Sequence, residues 1–139
     1  MHLENLFSAW TFDGVIHSYT SGWKGADIIP DPPVEGAMKF IWEAIESFRV
    51  SIFSSRSNQV GGMNAMEIYL RHHFNKFWKT HATQTEINEK LDQIEWPTQK
   101  PPAFITIDDR AICFDGNWPP IEELKDFKPW FVRNKLPNP

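Results

Sequence analysis

At 139 residues the chain is sized for one domain, and 41% hydrophobic and 14% aromatic residues are enough apolar material for one substantial core. A net charge of −4 excludes a global basic field that recruits nucleic acid, leaving room only for a local basic patch. No apolar run approaches the roughly 18 residues of a membrane span, and Cys113, the sole cysteine, excludes an intramolecular disulfide. The N-terminus lacks the basic start and long apolar stretch of a secretory signal, so a cytoplasmic protein is expected.

Residues 5–12 form a short, mostly apolar run that stops at Asp13-Gly14, a strong turn signal, and this predicts a buried strand. Residues 17–33 are rich in Gly, Ser, Asp and Pro and carry Tyr19 and Trp23. They predict a long ordered loop or flap, a kind of segment that is often functional. Met38, Ile41, Trp42, Ile45 and Phe48 repeat at steps of three and four, which predicts a helix over 34–48. Val50 to Phe53 reads as a second strand, running into the polar stretch Ser54-Ser55-Arg56-Ser57-Asn58.

The same helical spacing recurs over 62–80 (Met63, Met66, Leu70, Phe74, Phe77) and over 84–94 (Ile87, Leu91, Ile94). Glu95-Trp96 is a candidate short strand before Pro97. Phe104 to Ile107 is a clear strand that ends at Asp108-Asp109. Ala111 to Phe114 suggests a last short strand, with Cys113 as an inert core residue within it. Pro120 to Phe127 reads as a final helix, and 134–139 as a tail. With seven Trp and eleven Phe, aromatic side chains are expected to dominate the buried area, a few of them lining a pocket.

Alternating strands and helices imply an α/β domain with a mostly parallel sheet covered by helices. Ligands in such sheets bind beyond the carboxyl ends of the strands. The polar clusters fall there: Thr11-Phe12-Asp13-Gly14, Ser54-Ser55-Arg56 and Asp108-Asp109-Arg110. Two adjacent carboxylates at a strand end are costly to ionise together without a cation or strong donors. Hard oxygen ligands of this type suit Mg²⁺, to which Asp13 is a further candidate contributor. The plain alternative is a capped turn with a local ion pair.

Taken in order, Thr11-Phe12-Asp13-Gly14-Val15, Phe53-Ser54-Ser55-Arg56, Lys100-Pro101-Pro102-Ala103 and Ile107-Asp108-Asp109-Arg110-Ala111 resemble the four motifs of the haloacid dehalogenase-like superfamily, over nearly the whole chain. Short, capless bacterial and phage members are the nearest in character, through Asp13 to Tyr19. The resemblance implies a Rossmann-like three-layer sandwich with minimal or no cap, as a single domain over 1–139. In that family the first motif reads Asp-x-Asp-Gly-Thr/Val. Its first Asp attacks phosphorus and binds Mg²⁺, and its second is a general acid and then base whose carbonyl also binds the metal.

By that pattern Asp13 is the acid–base residue. Ser54, with Ser55, Arg56 and the Gly14 turn, holds the phosphoryl group, Lys100 neutralises it, and Asp108 and Asp109 serve the metal. The chemistry agrees with the roles, because phosphoryl transfer is mostly positioning and electrostatics. A proton donor at Asp13 needs a raised pKa, which crowding among carboxylates is expected to supply.

Thr11 departs from the pattern. The family's nucleophilic aspartate is absent, and a threonine hydroxyl is weak without an adjacent base. The expected function is a Mg²⁺-dependent phosphohydrolase acting on a phosphomonoester (a small metabolite, a nucleotide or a polynucleotide end), impaired at Thr11. The alternatives are a non-catalytic phosphate- or nucleotide-binding module and a structural domain on the same fold. Arg56 has two readings, a bidentate grip on a substrate phosphate or a structural ion pair. Tyr19, Trp23, Lys24 and Asp27 are candidates for shaping substrate choice. His72-His73 point about 100° apart on a helix, and with Arg71, Lys76, Lys79 and His81 they read as a solvated basic face rather than a metal site.

Overall fold

Parallel pairing of three short strands places the functional rim. In the computed structural model, which describes residues 6–133, β1 (Phe7–Trp10) lies between β2 (Arg49–Ile52) and β3 (Ile105–Ile107), parallel to both. Trp10 is in register with Ile52 on one side and Ile107 on the other. The ladder continues one step further, because Phe53 N–H donates to Trp10 O and Thr11 N–H to Ile107 O, both at 3.0 Å. Thr11, Phe53-Ser54 and Asp108 therefore leave the sheet at one level. The chain steps from β1 to β2 on one side, then returns past β1 to β3 on the other. Such a reversal opens a crevice at the carboxyl ends of the central strands.

The helices follow the apolar spacing. The first, α1 (Ala37–Ser47), buries Met38, Ile41, Ala44 and Ile45, and α2 (Gly62–Trp78) buries Met66, Tyr69, Leu70 and Phe74. In α3 (Gln84–Asp92) the buried residues are Ile87 and Leu91. This last helix starts at a capping box: Thr83 Oγ1 accepts from Glu86 N–H at 3.2 Å, and Glu86 Oε1 accepts from Thr83 N–H at 3.0 Å. Together with Trp10, Phe12, Ile16, Val50 and Ile52 these residues make one contiguous apolar cluster. Burial of each large aliphatic or aromatic side chain there contributes roughly 1.5–3 kcal/mol. β1 and β2 are almost wholly buried, as parallel strands covered on both faces must be.

Several expectations need correction in the C-terminal third. Residues 111–114 form no strand. Asp108 Oδ1 accepts the Arg110 N–H at 2.8 Å in a turn that closes β3, and among the described residues β3 pairs only with β1. Cys113 is consequently exposed rather than a core residue. Phe104, Ile105, Ile112, Phe114 and Trp118 are exposed as well, so the aromatic side chains are divided between core and surface instead of dominating the core. Glu95 makes a single parallel bridge to Ser51, not a strand.

The last predicted helix is the short α4 (Ile121–Lys125), and a further turn of helix, α5 (Trp130–Arg133), was not anticipated. The predicted tail at 134–139 and the start of the first predicted strand at Asn5 lie outside the described residues. No helix among the described residues is long and apolar enough to cross a membrane.

Candidate functional site

A cavity of about 620 Å³ opens at the strand-end rim, lined by Thr11, Asp13, Ser54, Ser55, Lys100, Asp108, Asp109 and Arg110, with Tyr19 and Trp23 from the flap. Seven of the nine residues given catalytic, phosphate-binding or metal-binding roles from sequence thus share one cavity. The other two, Gly14 and Arg56, stand behind its wall.

Asp13 is held from two sides. Arg56 Nε donates to its Oδ2 at 2.9 Å and Nη2 to its Oδ1 at 3.1 Å, a bidentate grip. His17 lies 2.8 Å from Oδ1 through Nδ1. The other ring nitrogen, Nε2, accepts the Asp31 N–H at 3.1 Å, so Nδ1 is the protonated nitrogen and donates to Asp13. Burial is the largest influence on the Asp13 carboxyl and pushes its pKa up. The hydrogen bonds from His17 and Arg56, together with the Arg56 charge, outweigh it, and the net shift is downward from 3.8.

The raised pKa expected from crowded carboxylates is therefore corrected: the nearest groups are donors, not acids. The sign of the pH effect follows. A depressed carboxylate contributes stability that is complete above its unfolded value, and that stability disappears as pH falls through the lower folded value. Urea midpoints for the wild type should drop below pH 3.8, and Asp13→Asn should remove this part of the acid limb. An unchanged acid limb in the variant would show that Asp13 is not titrating.

Arg56 is 0% exposed. Its Nη1 donates to the carbonyls of Gly25, Ala26 and Ile28 at 2.7, 2.8 and 3.2 Å. The guanidinium is thereby occupied on Asp13 and the flap, and the phosphate-gripping alternative gives way to the structural ion pair. Beside it, Ser54 caps a 3-10 turn (Ser55–Asn58) by accepting the Arg56 N–H at 3.1 Å. The Ser54 hydroxyl hydrogen remains for a ligand oxygen.

Asp109 is the least satisfied polar side chain in the cavity. Its side chain is 5% exposed, and Oδ2 has no hydrogen-bond donor. The nearest cationic nitrogen, Arg110 Nε, is 3.7 Å away, too long for a hydrogen bond. Burial pushes the Asp109 pKa up, and the neighbouring Asp108 adds to this. A backbone hydrogen bond and Arg110 oppose it without cancelling it. Gly14, at φ 81°, permits the close approach, since a Cβ at that position would strike the Asp109 carboxylate. Among the described residues no group of three or more His, Cys, Asp and Glu side chains is gathered to hold a metal ion.

Thr11 has no activating base among the described residues. Its hydroxyl donates to Ile107 O at 3.5 Å, the outer limit of a hydrogen bond. The sequence assigned no role to His17, within the Asp13–Tyr19 stretch, or to Trp130. His17 is fully buried between Asp13 and Asp31, and only its position four residues after Asp13 hinted at a partnership. Trp130 Nε1 donates to Gly14 O at 2.6 Å across 116 residues of chain, a separation no local pattern reports. The predicted basic face at His72 is exposed, while His73 is half-buried against Tyr69 with ring centroids 4.4 Å apart. Comparison of the chain with protein-family models, with curated proteins and with solved structures returned no match.

Proposed function

We propose that the chain is a haloacid dehalogenase-like domain, a small Rossmann-like sandwich without a cap, that binds a phosphomonoester with Mg²⁺ and is impaired as a phosphohydrolase. The observation that carries this reading is the convergence of Thr11, Ser54, Lys100, Asp108 and Asp109 on one cavity at the carboxyl ends of three parallel strands. Ser54 and Ser55 offer hydroxyl donors to phosphoryl oxygens, and Lys100 offers a mobile positive charge. Lys100 and Arg110 are matched by Asp108 and Asp109, while Arg56 is matched by Asp13. A phosphate dianion alone meets no net positive charge in such a site, and arrives best together with a cation.

The residues present fit that cation. Asp109 Oδ2 is a buried oxygen with no donor, and Asp108 is adjacent in the chain, so these two would hold Mg²⁺. The Asp13 carboxylate is occupied by Arg56 and His17, which leaves its carbonyl as its contribution. Bound there, the metal would offset the charge of the phosphoryl oxygens. The chain's own groups favour binding over turnover: Thr11 lacks a base, and Asp13 is held ionised, a form suited to accepting a proton but not to donating one. Cys113, a lone thiol, is compatible with a reducing cytoplasm.

A thermal-unfolding titration tests the reading. Mg²⁺ with inorganic phosphate should raise Tm in the wild type through mass action on the folded state. Asp109→Asn should raise stability without ligand by about 1 kcal/mol, since the neutral amide removes a charge that burial disfavours. The same variant should lose the Mg²⁺ response. A wild type indifferent to Mg²⁺ and phosphate, or a variant as responsive as the wild type, would refute the assignment.

A further inference from the structure

The phosphomonoester reading leaves most of the cavity unexplained, and the following inference rests on that reading while naming the ligand's organic part. At about 620 Å³ the cavity falls within the roughly 300–1,000 Å³ of small-molecule sites, far more room than a phosphoryl group needs. Its lining joins polar groups at the strand ends, and Lys100, to aromatic side chains, of which Tyr19 and Trp23 come from the flap.

Trp23 lines that wall and is 45% exposed. The Arg56 guanidinium lies over its ring, 4.6 Å from the centroid. Arg56 is itself immobile, fixed by five hydrogen bonds to Asp13, Gly25, Ala26 and Ile28. The indole is thus backed by a rigid buried cation while nearly half of its surface stays open. A large aromatic held in this way gives a flat partner ring an area to stack on at little entropic cost.

Tyr19, on the same wall, has φ 61°, a left-handed backbone that a bulky residue rarely adopts. Its ring meets His17 and Phe131 edge-on at 5.9 and 5.8 Å, contacts that hold the strained residue at the cavity.

We propose that Trp23 is a stacking platform for the base of a nucleoside monophosphate whose phosphate sits at the strand ends. A sugar phosphate offers only ring C–H groups to this surface, a smaller contact than the flat face of a base. The net charge of −4 favours a mononucleotide over a nucleic-acid polymer.

Calorimetric titrations with Mg²⁺ present, using AMP, ribose 5-phosphate and inorganic phosphate, test this on the wild type, Trp23→Ala and Trp23→Phe. AMP should bind the wild type about tenfold tighter than ribose 5-phosphate, within the range of base–aromatic stacking. Trp23→Ala should bring the ratio of the two affinities close to one, and Trp23→Phe should restore several-fold preference. The ratio is the informative quantity, because a variant that merely loosens the flap weakens both ligands together. A preserved ratio in Trp23→Ala overturns the proposal. So does equal binding of AMP and ribose 5-phosphate by the wild type, and if inorganic phosphate still binds, the phosphate pocket survives. Failure of all three ligands to bind removes the pocket and the platform together.

Discussion

Replacing Arg56 with methionine should cost about 3–5 kcal/mol of folding stability, the range for breaking a buried ion pair from one side. The loss has two sources. Asp13 is left as a carboxylate in a largely buried turn with only His17 as donor, and the carbonyls of Gly25, Ala26 and Ile28 lose the Nη1 donor. Domains of this size are stable by roughly 5–15 kcal/mol, so the variant should be near the edge of folding. Arg56→Lys should recover only part of the loss, because an ammonium cannot reproduce the planar fork that reaches both Asp13 oxygens and the flap.

Urea unfolding of the wild type, both single variants and Asp13→Asn/Arg56→Met checks this. The double variant should be less destabilised than the sum of its singles, since it does not leave an uncompensated charge. A loss under about 1 kcal/mol for Arg56→Met would mean that the pair is dispensable and that the flap is held by other contacts.

The second large effect concerns chemistry. Thr11→Asp should convert the chain from negligible to measurable hydrolysis of an aryl phosphate with Mg²⁺, by roughly 10³-fold or more. Loss of a nucleophile in a hydrolase costs up to about 10⁶ in kcat, or about 8 kcal/mol of barrier. Thr11 lies at the level of Asp108 and Ser54 on the sheet rim, so a carboxylate there joins groups that already line the cavity.

The substrate dependence is more diagnostic than the rate. The aryloxide leaves an aryl phosphate without a proton, whereas the alkoxide of an alkyl phosphate needs one. Asp13, held ionised by Arg56 and His17, is a poor proton donor. The substituted protein should therefore favour aryl over alkyl phosphates by roughly 10²–10⁴, the usual contribution of a positioned general acid. Equal activity of wild type and variant would mean that another group attacks phosphorus. An inactive variant that still binds phosphate would make the domain a binder with no latent chemistry.

The three strands of the sheet and the polar cluster at their carboxyl ends were legible in the sequence because both depend on local chemistry. Short apolar runs ending abruptly in polar residues specify strands whose ends meet solvent, and parallel pairing then puts those ends on one rim. Thr11, Ser54 and Asp108 could be grouped from that pattern alone. The three main helices were equally legible, since spacings of three and four record which face is buried. Lys100 was different: nothing local marks it, and only its place in the order of motifs brought it into the group.

What a side chain does within the group was settled by tertiary structure. Arg56 and Ser54 look like equivalent polar residues after a strand, yet one is walled in by flap carbonyls some 30 residues away and the other opens on the cavity. The direction in which the Asp13 pKa moves is set by His17 and Arg56, and that of Asp109 by burial, because desolvation and the distance to the nearest donor outweigh the count of neighbouring carboxylates. Cys113 and the apolar residues around it are exposed for a related reason: whether a short apolar run becomes a strand depends on pairing with a neighbouring edge, and residues 111–114 make no such pairing. Residue order was enough to locate the pocket, but which of its charges are neutralised depends on contacts between segments far apart in the chain.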